Sequence, residues 1–136
     1  MITAVDTNVL LDVFGADPRF SLRSSQALGK CLREGALVIC EVVWAETATV
    51  FGDAGRFRNA VRELGAVFSP MSKAAAEKAA EAWHRYRTSG GPRNRIAADF
   101  LIGAHALGGA DRLLTRDRGF YRRYFAGLKI LDPTVL

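Results

Sequence analysis

Four acidic residues stand where solvated charge is a poor explanation. Asp6 follows the apolar run Ile2-Thr3-Ala4-Val5. Glu46 lies inside Val42-Val43-Trp44-Ala45-Glu46-Thr47-Ala48. Asp99 is enclosed by Ile96-Ala97-Ala98 and Phe100-Leu101-Ile102, and Asp117 closes Leu113-Leu114-Thr115-Arg116-Asp117. An isolated buried carboxylate is costly and needs a cation or hydrogen-bond donors. Several converging carboxylates repel one another, and some take up protons. A divalent ion removes that conflict. An all-oxygen donor set favours Mg²⁺ or Mn²⁺, and no Cys or His pair has the spacing of zinc ligands. The chemistry such a site supports is phosphodiester hydrolysis, with metal-activated water and neutralised phosphate charge. Thr7, Asn8 and Thr115 adjoin the acids and are placed to hydrogen-bond the carboxylates or the phosphate. Each residue alone has a plainer reading. A lone Asp after a strand is commonly a helix N-cap, a lone helical Glu points to water, and Thr and Asn form caps and turns. Asp12, Asp17, Glu34, Asp53, Glu63, Glu77, Glu81 and Asp132 read as solvated charge on amphipathic surfaces or in loops.

The elements that must bring positions 6, 46, 99 and 117 together alternate along the chain. Ile2–Val5, 36–40, 66–68, 113–115 and 129–131 read as short strands, most of them apolar enough to be buried on both faces. Between them the pattern predicts helices over 9–14, 21–34 with Ser21 as N-cap, 41–51, 57–64, 73–86 with Ser72 as N-cap, 94–107 and 120–125. Gly15-Ala16-Asp17-Pro18, Gly52-Asp53-Ala54-Gly55 and Thr88-Ser89-Gly90-Gly91-Pro92 break the pattern. Strand–helix alternation without repeats predicts a five-stranded, mostly parallel sheet with helices on both faces, a three-layer α/β/α domain. In such sheets ligands bind beyond the strands' carboxyl ends, where Asp6 and Asp117 would sit.

Residues 1–136 are expected to form one domain, long enough to bury a core unaided. Hydrophobic residues make up 49% and charged residues 24%, a globular balance. No apolar run reaches the roughly 18 residues of a membrane span, and the first strand starts with no signal-like segment before it. Cys31 and Cys40 sit in apolar surroundings and are too few for a disulfide framework. These features predict a cytoplasmic protein without membrane contact. Nineteen Lys and Arg against fourteen Asp and Glu give +5, which points to a polyanionic partner such as nucleic acid.

Taken together, Val5-Asp6-Thr7-Asn8-Val9-Leu10-Leu11, Cys40-Glu41-Val42-Val43-Trp44-Ala45-Glu46, 98–106 and Leu113-Leu114-Thr115-Arg116-Asp117 resemble the PIN-domain family, and within it the VapC-type toxins of bacterial toxin–antitoxin pairs. The resemblance implies a PIN-like fold and a metal-dependent endoribonuclease acting on single-stranded RNA. It implies an acidic quartet of Asp6, Glu46, Asp99 and Asp117, with Asp6 and Asp99 as main ligands of Mg²⁺ or Mn²⁺ and Glu46 and Asp117 completing the site or orienting water. It also implies a homodimer, and a cognate VapB-type antitoxin whose tail crosses the acidic groove. Arg118-Gly119 stands where many relatives carry a further acid.

Arginine placement suits an RNA substrate. Arg85, Arg87, Arg93 and Arg95 bracket the Gly-Gly-Pro loop, and Arg112, Arg116, Arg118, Arg122 and Arg123 lie around Asp117 in sequence. Guanidinium groups bind phosphates bidentately, and Arg93, Arg95 and Arg116 are the preferred candidates because they neighbour the acids. His84 and His105 read as structural, since neither has a visible nucleophile or base partner. Two other readings compete. A haloacid-dehalogenase-like phosphatase also starts with an Asp after its first strand, but wants a second Asp where Asn8 stands. A non-catalytic PIN-like module would hold RNA or protein without cutting it.

Overall fold

The computed structural model describes residues 1–91 and 97–136. Its sheet contains β1 (Ile2–Val5), β2 (Ala36–Ile39), β3 (Val67–Phe68), β4 (Arg112–Leu114) and β5 (Ile130–Leu131), in the order β3-β2-β1-β4-β5. Every pairing is parallel, so the expected mostly parallel sheet is wholly so. Parallel strands covered on both faces run largely apolar, and Val5, Leu37, Ile39, Leu113 and Leu114 are all buried.

The connecting helices are α1 (Thr7–Phe14), α2 (Ser21–Glu34), α3 (Glu41–Phe51), α4 (Ala54–Leu64), α5 (Lys73–Thr88), α6 (Ala97–Gly109) and α7 (Arg118–Tyr124). The chain leaves β1 toward β2 and β3, then crosses back to β4 on the other side of β1. Right-handed crossovers running in opposite directions place their helices on opposite faces, which makes three layers. Each helical layer has its own aromatic cluster. Phe14, Trp44, Phe51 and Phe57 meet edge to face or tilted where α1, α3 and α4 join. Tyr86, Phe100, Phe120 and Tyr124 do the same where α5, α6 and α7 join.

The strand order reverses between β1 and β4. Val5 pairs with Leu114, and the Asp6 N–H donates to the Leu114 carbonyl at 2.9 Å. Asp6 and Thr115 therefore leave the sheet side by side, at its carboxyl edge.

Several boundaries differ from expectation. Ser21 is not an N-cap but lies within α2. The chain enters that helix through Phe20, and the Asp17 carboxylate accepts from the Arg19 and Phe20 N–H groups. The Pro18 turn thus supplies the stop expected of Ser21. Ser72 does cap α5, accepting from the Ala75 N–H at 3.1 Å. Helix α4 begins three residues earlier than expected, because Asp53 caps it through the Arg56 N–H. The described part of α6 starts at Ala97 and runs through Gly109, and the expected start at Asn94 lies outside the described residues. A single 3₁₀ turn over Pro133–Val135, capped by Asp132, is additional to the expected elements.

Candidate functional site

Asp6 is buried where β1 passes into α1, and four donors reach its carboxylate. The Thr7 N–H donates to Oδ1 at 2.7 Å. The Thr115 hydroxyl, the Tyr121 hydroxyl and the Asn8 amide donate to Oδ2 at 2.7, 3.1 and 3.3 Å. Oδ2 is thereby crowded, while Oδ1 accepts only from Thr7 among the described residues. Burial nevertheless pushes the Asp6 carboxyl up to about 6; the bonds from Thr115, Thr7 and Tyr121 oppose this rise, and the negative charge of Asp99 adds to it. Among the described residues, no cation compensates its anionic form.

The other three acids are drawn to the same place. Glu46, half-buried on α3, accepts from the Thr7 hydroxyl at 2.7 Å, one residue from Asp6. Asp99, half-buried in the first turn of α6, is close enough to act electrostatically on Asp6. Asp117 occupies the N-cap position of α7 without a side-chain capping bond, and its N–H donates to the Thr115 hydroxyl at 3.0 Å. The Tyr121 phenol is buried against these groups. Its burial, and then the charges of Asp6, Asp99 and Asp117, keep it protonated, so it serves as a donor.

Thr7, Asn8 and Thr115 tie the acids together. Thr7 joins Asp6 to Glu46. Asn8 donates to Asp6 and, at 3.4 Å, to the Thr115 hydroxyl. Thr115, fully buried, donates to Asp6 and accepts from Asp117. The helix-cap reading is half right for Asp6, which accepts from its neighbour's N–H, and does not describe the Asp117 side chain.

Among the described residues, no three or more His, Cys, Asp or Glu side chains form a metal-holding group. Glu46 and Asp117 are linked to Asp6 through Thr7 and Thr115, and Asp99 through its charge, rather than as a closed ligand set. The donors nevertheless suit a hard divalent cation: all are oxygen, and a buried carboxylate with a raised pKa gains most from a positive ion. Burial pushes the nearby Cys40 thiol up, so it stays protonated in the metal-free site. His105 is buried and held neutral, within 3.3 Å of the Ser69 hydroxyl, and the structural reading suits it.

Arg112 and Arg116 are placed differently from expectation. Arg93 and Arg95 lie outside the described residues. Arg116 adjoins Asp117 in sequence, yet its guanidinium forks onto Asp12 at 2.8 and 3.0 Å and lies 3.9 Å from the Phe20 ring centre. Arg112, expected near Asp117, is buried away from it. It donates to the Thr3 hydroxyl and to Glu34 at 2.9 Å each. Arg112 lies on β4, where successive side chains point to opposite sides, and Arg116 stands at a bend between Thr115 and Asp117.

Two acids expected to be solvated are not. Asp12 is 3% exposed and Asp132 is 7% exposed; each pairs with an arginine, Asp12 with Arg116 and Asp132 with Arg118. Glu34 is exposed, as expected, and Lys30 and Arg112 hold its carboxyl below the usual range. Asp12 carries the same signal that singles out Asp99: Val9-Leu10-Leu11 and Val13-Phe14 enclose it. Tyr121 also escapes the sequence reading, although it stands one helical turn beyond Asp117, the spacing at which a side chain returns to the same face.

The PIN domain family matches residues 3–126. A comparison with curated proteins found no match. Among solved structures, VapBC-1 from nontypeable Haemophilus influenzae superposes with a TM-score of 0.75 at 19% identity, covering 98% of this chain and 99% of that one. VapBC2 from Rickettsia felis, bound to a DNA fragment from its promoter, gives 0.74 at 18% identity, covering 97% and 98%. VapC20 from Mycobacterium tuberculosis, described as a sarcin–ricin loop cleaving toxin, gives 0.63 at 16% identity, covering 93% and 98%. Those likenesses concern the fold. Coverage of nearly the whole chain by the family match, on a parallel sheet with Asp6 at its switch point, places this chain in the PIN-domain family.

Proposed function

We propose that the protein is a divalent-metal-dependent endoribonuclease that hydrolyses phosphodiester bonds in single-stranded regions of RNA, and that it is the toxin of a VapBC-type toxin–antitoxin pair. The observation that carries the reading is Asp6: a buried carboxylate at the sheet's switch point, raised to about 6, with Glu46, Asp99 and Asp117 gathered around it.

Asp6 and Asp99 would hold Mg²⁺ or Mn²⁺, with Glu46 and Asp117 completing the site. When bound, the ion supplies charge neutralisation at the phosphate and a lowered pKa for water. The chain's own groups do the positioning. Thr115, Tyr121 and Asn8 occupy Oδ2 of Asp6, so Oδ1 is the oxygen that would hold the cation. Thr7 orients Glu46. Arg93 and Arg95 are proposed phosphate contacts. A cognate VapB-type antitoxin laying its tail across the acidic groove, a homodimer and a cytoplasmic location belong to the same proposal; complexes named VapBC among the structural relatives support the antitoxin.

The test is cleavage of single-stranded RNA by the purified protein with and without Mg²⁺ or Mn²⁺, beside Asp6→Asn and Asp99→Asn. The expected outcome is metal-dependent cutting by the wild type and a loss of at least about 100-fold in either folded variant. Undiminished metal-dependent cutting by both variants would sink the mechanism. RNA binding without cutting by the wild type would replace it with the non-catalytic module.

A further inference from the structure

Arg116 lies between Thr115 and Asp117, both in the candidate site, and turns away from it. Its Nε and one terminal nitrogen reach the two oxygens of Asp12 at 2.8 and 3.0 Å. A fork of this kind fixes orientation as well as distance. Asp12 is buried, and the Ser24 hydroxyl donates to the same oxygen as Nε, at 2.7 Å. The guanidinium lies on the Phe20 ring, and the Phe20 N–H is anchored to Asp17 at 2.9 Å. The Arg116 N–H donates to the Asn8 side chain at 3.3 Å. Asn8 and Asp12 are four residues apart on α1, so one face of that helix grips both the backbone and the side chain of Arg116.

We infer that Asp12 is a positioning residue of the site: through Arg116 it fixes the Thr115–Asp117 segment, keeping the Thr115 hydroxyl on Asp6 and Asp117 beside Tyr121. A guanidinium whose fork is held by Asp12 and whose face rests on Phe20 has little left to offer a phosphate, which favours this role over an RNA contact. The effect on metal and catalysis rests on the proposed nuclease reading; the tie between Asp12 and the segment does not.

The experiment uses the whole chain, with Asp12→Asn and Arg116→Lys. Asn keeps the shape and loses the charge, while Lys keeps the charge and loses the fork. Ser24→Ala is the milder variant if Asp12→Asn does not fold. Three quantities are read: hydrogen exchange at the Arg116 and Asp117 amides, Mn²⁺ affinity by calorimetry without RNA, and kcat and KM on single-stranded RNA. Expected are at least about tenfold faster exchange at those two amides with Leu113 unchanged, Mn²⁺ affinity weaker by about 10–100-fold, and a fall in kcat with KM within about twofold. Wild-type exchange and Mn²⁺ affinity in folded variants would overturn the inference. So would a tenfold rise in KM with kcat and Mn²⁺ affinity intact, since Arg116 would then be touching RNA. If the wild type neither binds Mn²⁺ nor cuts RNA, the nuclease reading fails separately. Exchange at the two amides then decides alone whether Asp12 holds the segment.

Discussion

Asp6 carries a measurable conflict between stability and charge. Its carboxyl titrates near 3.8 in an unfolded chain and at about 6 in the fold. The folded value is raised, so Asp6 contributes most favourably below the unfolded pKa, and that contribution is lost as pH climbs through 6. A rise of this size is worth about 3 kcal/mol in full. Asp6→Asn removes the titration. The stability of Asp6→Asn relative to wild type should therefore rise by about 2 kcal/mol between pH 4 and pH 7.5 in metal-free protein, as read by denaturant unfolding. Any fixed cost of the lost hydrogen bonds cancels from that difference. A flat difference across the range would show that burial does not oppose the charge. Saturating Mn²⁺ should return stability to the wild type at pH 7.5 and leave the variant unmoved. Tyr121→Phe tests the same conflict from the donor side. The phenol holds Asp6 down, so its loss should shift the acid limb of the pH–rate profile upward and lower cleavage about tenfold. Activity and profile equal to wild type would remove Tyr121 from the site. At this scale the sequence is partly legible. The four acids stand out because apolar neighbours make charge conspicuous. Asp12 is missed despite the same signal, and Tyr121 because a hydroxyl in an aromatic-rich helix reads as core.

The helices place these residues through contacts between elements, and α6 shows how closely. Gly103 faces the ring of Phe125, just beyond α7; a Cβ there would stand 2.4 Å from the ring. Phe125 is buried and has little room to retreat. Ala is the better helix former by about 1 kcal/mol, yet overpacking a filled contact costs about 1–3 kcal/mol. Gly103→Ala should therefore destabilise the protein by up to about 2 kcal/mol in thermal or urea unfolding, and Gly103→Ala with Phe125→Leu should recover part of the loss. A stabilised single variant would mean that α6 and α7 have slack between them. Sequence pattern anticipates most elements here, because short apolar runs and Gly or Pro breaks are local signals. It misplaces the start of α2, where Phe20 stands at the N-cap without a side-chain bond, and overlooks Asp53, an ordinary N-cap for α4. It misreads Arg112 and Arg116 because nearness in sequence is not nearness in space. Arg112 meets Thr3 at 2.9 Å through strand pairing, which no local pattern reveals.

Across the whole molecule the charge is divided: acids gather at one sheet edge while the net charge stays at +5. The basic excess must therefore lie outside that site. Arg122 and Arg123 are exposed on α7, directly after Gly119-Phe120-Tyr121, and Arg85 and Arg87 are exposed at the end of α5. Both helices pack with α6, which carries Asp99, so the exposed cations flank the element that delivers one of the acids. None of the described ion pairs involves these four arginines, although Arg85 donates to the Tyr124 carbonyl. A single-stranded polyanion approaching the acids would cross this surface and release counterions as it did so. Binding of a non-cleavable single strand to Asp99→Asn should weaken as salt rises, with a log–log slope of about −3 if four phosphates are engaged. Replacing both Arg122 and Arg123 by Gln should make that slope shallower by about 1 to 1.5 and leave thermal stability within about 0.5 kcal/mol. A slope near zero would show that the basic surface does not meet the strand. An unchanged slope in the double variant would move the contact off α7 and onto the end of α5.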